Sequence, residues 1–273
     1  MPGEHLDDAL AAACDLREKG IATVLTYLGE NVSDTSEAMQ VADHYCEVLD
    51  RISEKKLDCH ISLKLTQLGL DLGSEECSRN LRSIVKHASR TKNFVWVDME
   101  GSKYTDSTID IYKRARSEFP NVGLCLQSYL HRTANDLTSL SPLSPSIRLV
   151  KGAYAEPRAI AYQKKKLVDE NFLSLATRLL KAAKANGVLS AIASHDILLI
   201  RHIQEGASDI SRPTCEFQML YGIKPQEQLR LVRDGYRVRV LVSYGTFWFP
   251  WYMRRLAERP ANVLFVLRNI FAR

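Results

Sequence analysis

The chain has 273 residues, of which 45% are apolar and 25% are charged, with a formal net charge of +5. These fractions are close to those of soluble globular proteins and exclude a disordered or collagen-like chain. No apolar run approaches the roughly 20 residues of a membrane-spanning helix, and the acidic N-terminus lacks the layout of a signal peptide.

Short apolar, β-branched runs alternate along the chain with longer stretches of helical periodicity. A lead-in helix is expected within Met1–Gly20. The predicted strands are Ile21–Leu28, His60–Leu65, Phe94–Met99, Val122–Tyr129, Ser146–Lys151, Leu189–Ser194, Cys215–Leu220 and Arg237–Val242. The helices predicted to follow them are about Asp34–Lys55, Glu75–Arg90, Thr105–Phe119, Thr133–Leu140, Lys164–Asn186, Ile197–Glu205, Pro225–Arg233 and Trp248–Glu258, with a tail helix at Ala261–Phe271.

Eight strand–helix units in a row favour a closed parallel barrel over an open doubly wound sheet. The strands are apolar on both faces, as strands buried in a parallel sheet are. The Gly-x-Gly-x-x-Gly phosphate fingerprint is absent, which weakens a dinucleotide-fold interpretation. Because no linker-like stretch interrupts the series, we expect one domain over residues 1–273, an α/β (βα)8 TIM-type barrel.

Polar residues cluster at the predicted carboxyl ends of the strands, where barrels of this type carry their active sites. Any one of these side chains could simply face solvent or pair with a neighbour. An unpartnered charge in a strand buried on both faces costs several kcal/mol. Four charges are predicted to lie in the middle of such strands, those of Lys64, Asp98, Arg148 and Lys151. Several such residues together therefore favour a site: Lys64, Asp98, Glu100, Gln127, Arg148, Lys151, Ser194, His195, Asp196 and Gln218.

The predicted helix after the eighth strand carries Arg254, Arg255 and Glu258. On an average helix these residues would form a solvated face with an Arg254–Glu258 pair. The helix opens with WFPWYM, however, which is unlike a solvent-facing helix, and adjacent guanidinium groups repel each other unless an anion lies between them. A clamp for a substrate carboxylate is the alternative, since Arg offers a planar bidentate fork.

Seven blocks, in order from about residue 20 onward, resemble the proline dehydrogenase family in its single-function bacterial form. They are SLKLTQLGLDL, VDMEGS, VGLCLQSYLHRT, IRLVKGAYAEP, ASHD, EFQMLYG and WYMRRLAERPAN. The block RLVKGAY together with the RRLAERP helix is the most specific combination. The resemblance implies a distorted (βα)8 barrel, in agreement with the strand count.

The resemblance also implies roles for individual residues. The proline carboxylate would be held by Lys64, Arg254 and Arg255, with Glu258 orienting the arginines and Asp98 as the carboxylate partner of the cluster. Leu220 would pack against the proline ring. The flavin would be contacted by Met99, Gln127, Arg148, Val150, Lys151, Gly152, Ala153, Tyr154, Ser194 and His195, and Tyr154 would also lie near the substrate.

The implied reaction is oxidation of L-proline to Δ1-pyrroline-5-carboxylate by transfer of a hydride from C5 to N5 of FAD, in which the protein supplies orientation and electrostatics. Electrons would pass to a membrane quinone, and the product would pass to a pyrroline-5-carboxylate dehydrogenase. Neither a metal site nor a nucleic-acid partner is expected. Scattered cysteines suggest free thiols in a reducing cytoplasm, where the protein could lie at the inner face of the membrane.

Two departures from the family pattern bear on specificity. Leu241 stands where relatives have a Tyr that covers the proline ring, and Trp251 stands where they have another Tyr. Oxidation of 4-hydroxyproline or another cyclic imino acid is therefore an alternative. A lysine Schiff-base enzyme using Lys64 or Lys151, or a degenerate barrel that only binds a ligand, are further alternatives.

Overall fold

The computed structural model describes residues 1–206 and 214–248. Within them, eight parallel strands pair in sequence order and close into a barrel, so the predicted fold is confirmed. A lead-in helix, α1 (Leu6–Arg17), precedes the first strand. The helices predicted after β8 lie beyond the described residues, apart from Trp248, which begins the first of them.

The bounds of the strands are β1 (Ala22–Tyr27), β2 (Cys59–Leu63), β3 (Val95–Val97), β4 (Val122–Gln127), β5 (Ser146–Val150), β6 (Ser190–Ala193), β7 (Cys215–Leu220) and β8 (Arg237–Tyr244). The helices after α1 are α2 (Thr35–Glu54), α3 (Ser74–Arg90), α4 (Thr105–Glu118), α5 (Thr133–Leu140), α6 (Lys165–Asn186), α7 (Ile197–Gly206) and α8 (Pro225–Arg233). No helix within these described ranges has the length and apolar character needed to cross a bilayer.

The helix ends follow local sequence chemistry. Asp34 caps α2 by accepting a 2.9 Å hydrogen bond from the Glu37 amide, and Ser33 in turn donates to the Glu37 carboxylate. The carboxyl end of α6 is set by Gly187, whose φ of 68° is a left-handed conformation that most residues avoid. These signals are readable in the sequence, which is why the predicted helix bounds lie within about two residues of the observed ones.

Six strands, β1 to β6, end one or two residues earlier than predicted, and for β2, β3 and β5 this moves a charged residue out of the strand. Lys64, Asp98 and Lys151 were placed within β2, β3 and β5, but each is the first residue after its strand. The expectation that four charges lie in mid-strand is therefore wrong for three of them, and only Arg148 is inside a strand. At this edge the backbone already turns toward the following helix, although the Asp98 amide still donates to the Leu63 carbonyl at 2.8 Å.

An indole fills the barrel interior beneath this edge. Trp96 of β3 is fully buried and pairs in register with Gly123 of β4. A Cβ atom at position 123 would lie 2.6 Å from the indole, so glycine is needed there to make room for the ring. Trp96 packs against Val24 and Ala191 from across the barrel. The indole thus closes the interior and gives the space above it a floor.

Candidate active site

A cavity of about 470 Å³ opens at the carboxyl ends of the strands. This volume is in the range of small-molecule sites. The cavity is lined by all the described residues that the comparison with the family pattern singled out: Lys64, Asp98, Met99, Gln127, Arg148, Val150, Lys151, Gly152, Ala153, Tyr154, Ser194, His195, Leu220 and Leu241. Of the other strand-end candidates, Asp196 and Gln218 also line it, whereas Glu100 does not. The other predicted residues, Trp251, Arg254, Arg255 and Glu258, lie outside the described residues.

Arg148 and Asp98 form an ion pair in the cavity wall. Arg148 is 3% exposed and Asp98 is 23% exposed, so the carboxylate is the more accessible partner. The guanidinium carbon also lies 5.2 Å from the centre of the Trp96 ring, within cation–π range. The structure thus adds Arg148 as a partner of Asp98, and the role of Asp98 toward the substrate-binding cations stays a prediction.

Lys64 reaches the cavity from the turn after β2 and forms an ion pair with Glu30, which follows β1. Both side chains are largely buried, at 12% and 14% exposure. The turn is braced from behind by Glu100, whose carboxylate accepts hydrogen bonds from the Thr66 amide and hydroxyl at 3.1 and 2.7 Å. Burial raises the pKa of Glu100. Glu100 therefore supports the lysine turn and does not line the cavity.

One hydrogen-bond acceptor of the Gln127 side chain is unpaired within the described residues. Its side-chain nitrogen donates to the carbonyls of Met99 and Glu100, at 3.2 and 3.3 Å. Its Oε1 atom is buried and has no hydrogen-bond partner among the described residues. A buried acceptor without a partner is rare in folded proteins and costs free energy. Since Gln127 lines the cavity, this oxygen is suited to accept an N–H group from a ligand.

The segment after β5 forms one side of the cavity with its backbone. Gly152 has a φ of 114°, and a Cβ atom there would lie 2.2 Å from the Tyr129 ring. Only glycine therefore allows the chain to pass over this ring. Further along, the Glu156 carboxylate accepts hydrogen bonds from the Ser102 amide and hydroxyl, both at 2.6 Å. The segment that carries Tyr154 is thus fixed at both ends.

Lys151 lies in a group of four alternating charges. Its ammonium is 2.5 Å from Asp169 of α6 and 3.0 Å from Asp196, and Lys165 contacts the same two carboxylates. Burial acts to raise the pKa of Asp196, but hydrogen bonds from Lys151 and Lys165 outweigh it and lower the pKa to about 2. The two aspartates therefore stay ionised and hold Lys151 at the cavity.

His195 and Ser194 follow β6. The His195 Nε2 atom accepts a 2.8 Å hydrogen bond from the Leu220 amide, and the Ser194 hydroxyl accepts one from the Asp196 amide at 3.1 Å. Burial lowers the pKa of His195, and the charge of Lys224 lowers it further. The imidazole is therefore neutral near pH 7, and its Nδ1 carries the proton as a hydrogen-bond donor.

Sequence reasoning missed several residues of the site. Glu30, Ser62 and Glu216 were not singled out, although each contacts a predicted site residue or its partner. Thr26, Tyr27, Cys125 and Ser243 line the cavity as well. The available signal was the period of two in a strand: positions two residues before a strand-end candidate point into the same interior. Ser62 precedes Lys64 and Glu216 precedes Gln218 by this interval.

Comparison with known proteins identifies the family. The family model described as "Proline dehydrogenase" matches residues 9–268. Proline dehydrogenase 1 of Bacillus subtilis is 39% identical over 99% of this chain and 89% of its own length. The chain belongs to the proline dehydrogenase family. Proline dehydrogenase of Deinococcus radiodurans is 35% identical over 99% of this chain and 88% of its own.

A solved structure of a proline dehydrogenase relative supports the fold. Proline utilization A from Bdellovibrio bacteriovorus, inactivated by N-propargylglycine, superposes with a TM-score of 0.81 at 24% identity. The match covers 90% of this chain and 30% of that longer one. At this identity the likeness shows the shared barrel fold.

The lysine environments disfavour a Schiff-base enzyme. Lysines that form Schiff bases are activated by an apolar pocket or by a nearby cation. Here Lys64 contacts the carboxylate of Glu30, and Lys151 contacts those of Asp169 and Asp196. These acidic neighbours are the opposite of either arrangement. Membership of the proline dehydrogenase family is consistent with lysines that act as fixed positive charges.

Proposed function

We propose that this protein oxidises L-proline to Δ1-pyrroline-5-carboxylate with FAD as cofactor. The observation that carries the proposal is the lining of the cavity. All 14 site residues expected from the family resemblance that lie in the described ranges meet around one space at the carboxyl ends of the strands. Membership of the proline dehydrogenase family supplies the substrate class.

The residues present fit a flavin. A flavin ring carries one imide N–H between two carbonyl groups, and the partnerless Oε1 of Gln127 is suited to accept it. The side-chain-free backbone at Gly152 allows close approach of a planar ring. Lys64 and Arg148 provide positive charge in the cavity wall, which favours a cofactor that gains negative charge on reduction.

When bound, the flavin supplies the electron acceptor for the two-electron oxidation of proline at C5. Lys64, together with Arg254 and Arg255, holds the proline carboxylate by charge-assisted hydrogen bonds. Such a clamp fixes the proline ring in one orientation, so the entropic cost of orienting the substrate is met on binding and not in the reaction step. Asp98 keeps Arg148 in place from the open side, and Tyr154 borders the substrate.

The remaining steps are those that the family resemblance implies. The electrons leave through a quinone in the membrane, and the cyclic imine passes to a pyrroline-5-carboxylate dehydrogenase for conversion to glutamate. We place the protein in the cytoplasm, with transient contact at the inner face of the membrane. The six cysteines are all free thiols, which is typical of a reducing compartment and supports this placement.

A second substrate is favoured by one residue. Leu241 of β8 lines the cavity and packs with Val24 and Trp96 beneath it. A leucine here lacks the phenol that relatives place against the proline ring, so we infer looser selection at proline C4. We expect comparable kcat/KM values for L-proline and 4-hydroxyproline, and a roughly tenfold drop for hydroxyproline in Leu241→Tyr, of the size of one lost pocket contact. Strong rejection of hydroxyproline by both proteins would contradict this.

A visible absorption spectrum before and after anaerobic addition of L-proline tests the main proposal. Flavin bands that bleach with proline would establish the cofactor and the substrate class together. Flavin bands that proline leaves unchanged would direct attention to another cyclic amine. A colourless protein that added FAD does not reconstitute would contradict the proposal.

A further inference from the structure

Arg148 is enclosed by polar partners from three other strands or their ends. One terminal nitrogen, Nη2, donates to the Ser62 hydroxyl at 2.7 Å and contacts Asp98. The other, Nη1, points at Oε1 of Gln218 at 3.4 Å. The Trp96 ring covers one face of the guanidinium, so the group is held both in its plane and from one face. The cavity lies on its remaining side.

The orientation of Gln218 is itself fixed from below. Its side-chain nitrogen donates to Glu216 at 2.6 Å, which turns its carbonyl oxygen toward Arg148. Glu216 is fully buried and accepts two hydrogen bonds of 3.0 Å from Arg239, which is also fully buried. A chain of hydrogen bonds therefore runs from the amino-terminal end of the strands, which we call the closed end of the barrel, up to the cavity. If the amide flipped, its N–H groups would face a guanidinium.

We propose that Ser62, Gln218 and Glu216 are positioning residues that hold the Arg148 guanidinium at the cavity and thereby set the reduction potential of the bound flavin. The inference rests on the proposed flavin function. A fixed positive charge stabilises a cofactor that gains an electron pair without any cost of reorientation when the charge develops. Ser62 is 0% exposed and does not line the cavity, so it acts only through Arg148.

The most informative variant is Ser62→Ala, because it removes one hydrogen-bond acceptor of Arg148 and leaves only a small cavity. Without the hydroxyl, Arg148 is drawn toward Asp98 and its charge is partly neutralised. We expect the equilibrium between reduced and oxidised flavin to shift about tenfold toward the oxidised form, a fall in potential of about 30 mV for a two-electron couple. The rate of flavin reduction at saturating proline falls by a similar factor, while KM changes less than twofold.

Ser190→Ala is the matched control. Ser190 is a buried serine, 1% exposed, at the opposite end of β6, and its hydroxyl donates to a helix carbonyl. Gln218→Met provides a second variant of similar shape. Because it removes the other acceptor, we expect the potential to shift in the same direction as in Ser62→Ala. In an Arg148→Lys background, Ser62→Ala should have no further effect, since the shorter ammonium does not span the same partners.

The outcomes separate the two proposals. A parent protein that binds no flavin contradicts the proposed function and this inference together. A parent that binds flavin and bleaches with proline, while Ser62→Ala keeps the potential of the parent and of Ser190→Ala, contradicts this inference alone. A full effect of Ser62→Ala in the Arg148→Lys background would show that the serine does not act through Arg148.

Discussion

The barrel interior contains charged side chains at both ends, and the two ends use them differently. At the closed end, Arg239 and Glu216 are both 0% exposed and pair through two contacts of 3.0 Å. The remaining donors of Arg239 reach the Thr23 carbonyl at 2.9 Å and Asp58 at 3.0 Å. At the cavity end, Gln127 keeps an acceptor without a partner, and Lys64 and Asp98 are partly accessible.

A buried polar group thus points to a ligand when it lies at the cavity and its hydrogen bonds are not completed within the described residues, as for Oε1 of Gln127. The pairs at the closed end form a self-sufficient network, which holds the strands in register. Burial acts to raise the pKa of Asp58, but Arg239 and Arg237 outweigh it and hold that pKa below its usual value. At the cavity end, Oε1 of Gln127 can still accept a hydrogen bond from a ligand.

The largest effect is expected at the closed end. Arg239→Met would leave Glu216 and Asp58 without their main partner in the interior, and breaking a buried pair in this way costs about 3–5 kcal/mol. Urea denaturation should show this loss in the free energy of unfolding. Arg82→Met, which breaks the exposed pair with Glu118, should cost less than about 1 kcal/mol. Similar losses for the two variants would invalidate the distinction between the closed end and an ordinary surface pair.

Gly152→Ala should mainly affect the cavity end. The new Cβ atom collides with the Tyr129 ring, and the φ of 114° is strained for alanine. Such strain costs about 1–3 kcal/mol and displaces the segment that lines the cavity. We expect flavin affinity to fall by about 100-fold, measured by titration of the apoprotein with FAD. Gly206→Ala, where a Cβ atom meets no atom of the described residues within 4 Å, is the control and should bind FAD as the parent does.

Lys64→Met tests the substrate side of the cavity. Removal of this ammonium should raise the KM for proline by about tenfold, the effect of one charge-assisted hydrogen bond of about 1.5 kcal/mol, while the flavin remains bound. Because the change also leaves the Glu30 carboxylate without its lysine, a Lys64→Met/Glu30→Gln double variant separates the two effects. A KM restored to the parent value in the double variant would mean that Lys64 only neutralises Glu30.

The smallest effect concerns acid stability. The pKa of Asp196 is lowered from 3.8 to about 2, so its folded carboxylate binds a proton less readily than the unfolded one. The stabilisation is therefore present above about pH 4 and is lost as the pH falls toward 2. Asp196→Asn should be less stable than the parent at pH 6 by up to about 1 kcal/mol. The difference should shrink in denaturation series run toward pH 2, and a constant difference would show that the charge of Asp196 is not its cause.

The sequence predicted the cavity better than it predicted the closed end. Arg148 and Arg239 both stand inside apolar strands, and in the sequence they give the same signal. Arg148 was singled out because Lys151 follows it and because the family pattern includes it. Arg239 was not, since nothing local shows that Glu216 and Asp58 lie beside it; Asp58 is 181 residues away along the chain. Strand ends were also placed too late where a polar residue continued the extended pattern.

The amino-acid sequence by itself determined the strand and helix order, the barrel, the family and the residue types around the cavity. Hydrophobic periodicity, helix caps and the order of the family blocks are local properties of the sequence, so they can be recognised before the fold is known. Only the tertiary structure decided which charges neutralise one another: Lys64 with Glu30, Lys151 with Asp169, and Arg148 with Asp98, Ser62 and Gln218. Closing the barrel brings side chains from distant strands within hydrogen-bonding distance, and that distance cannot be read from their separation along the chain.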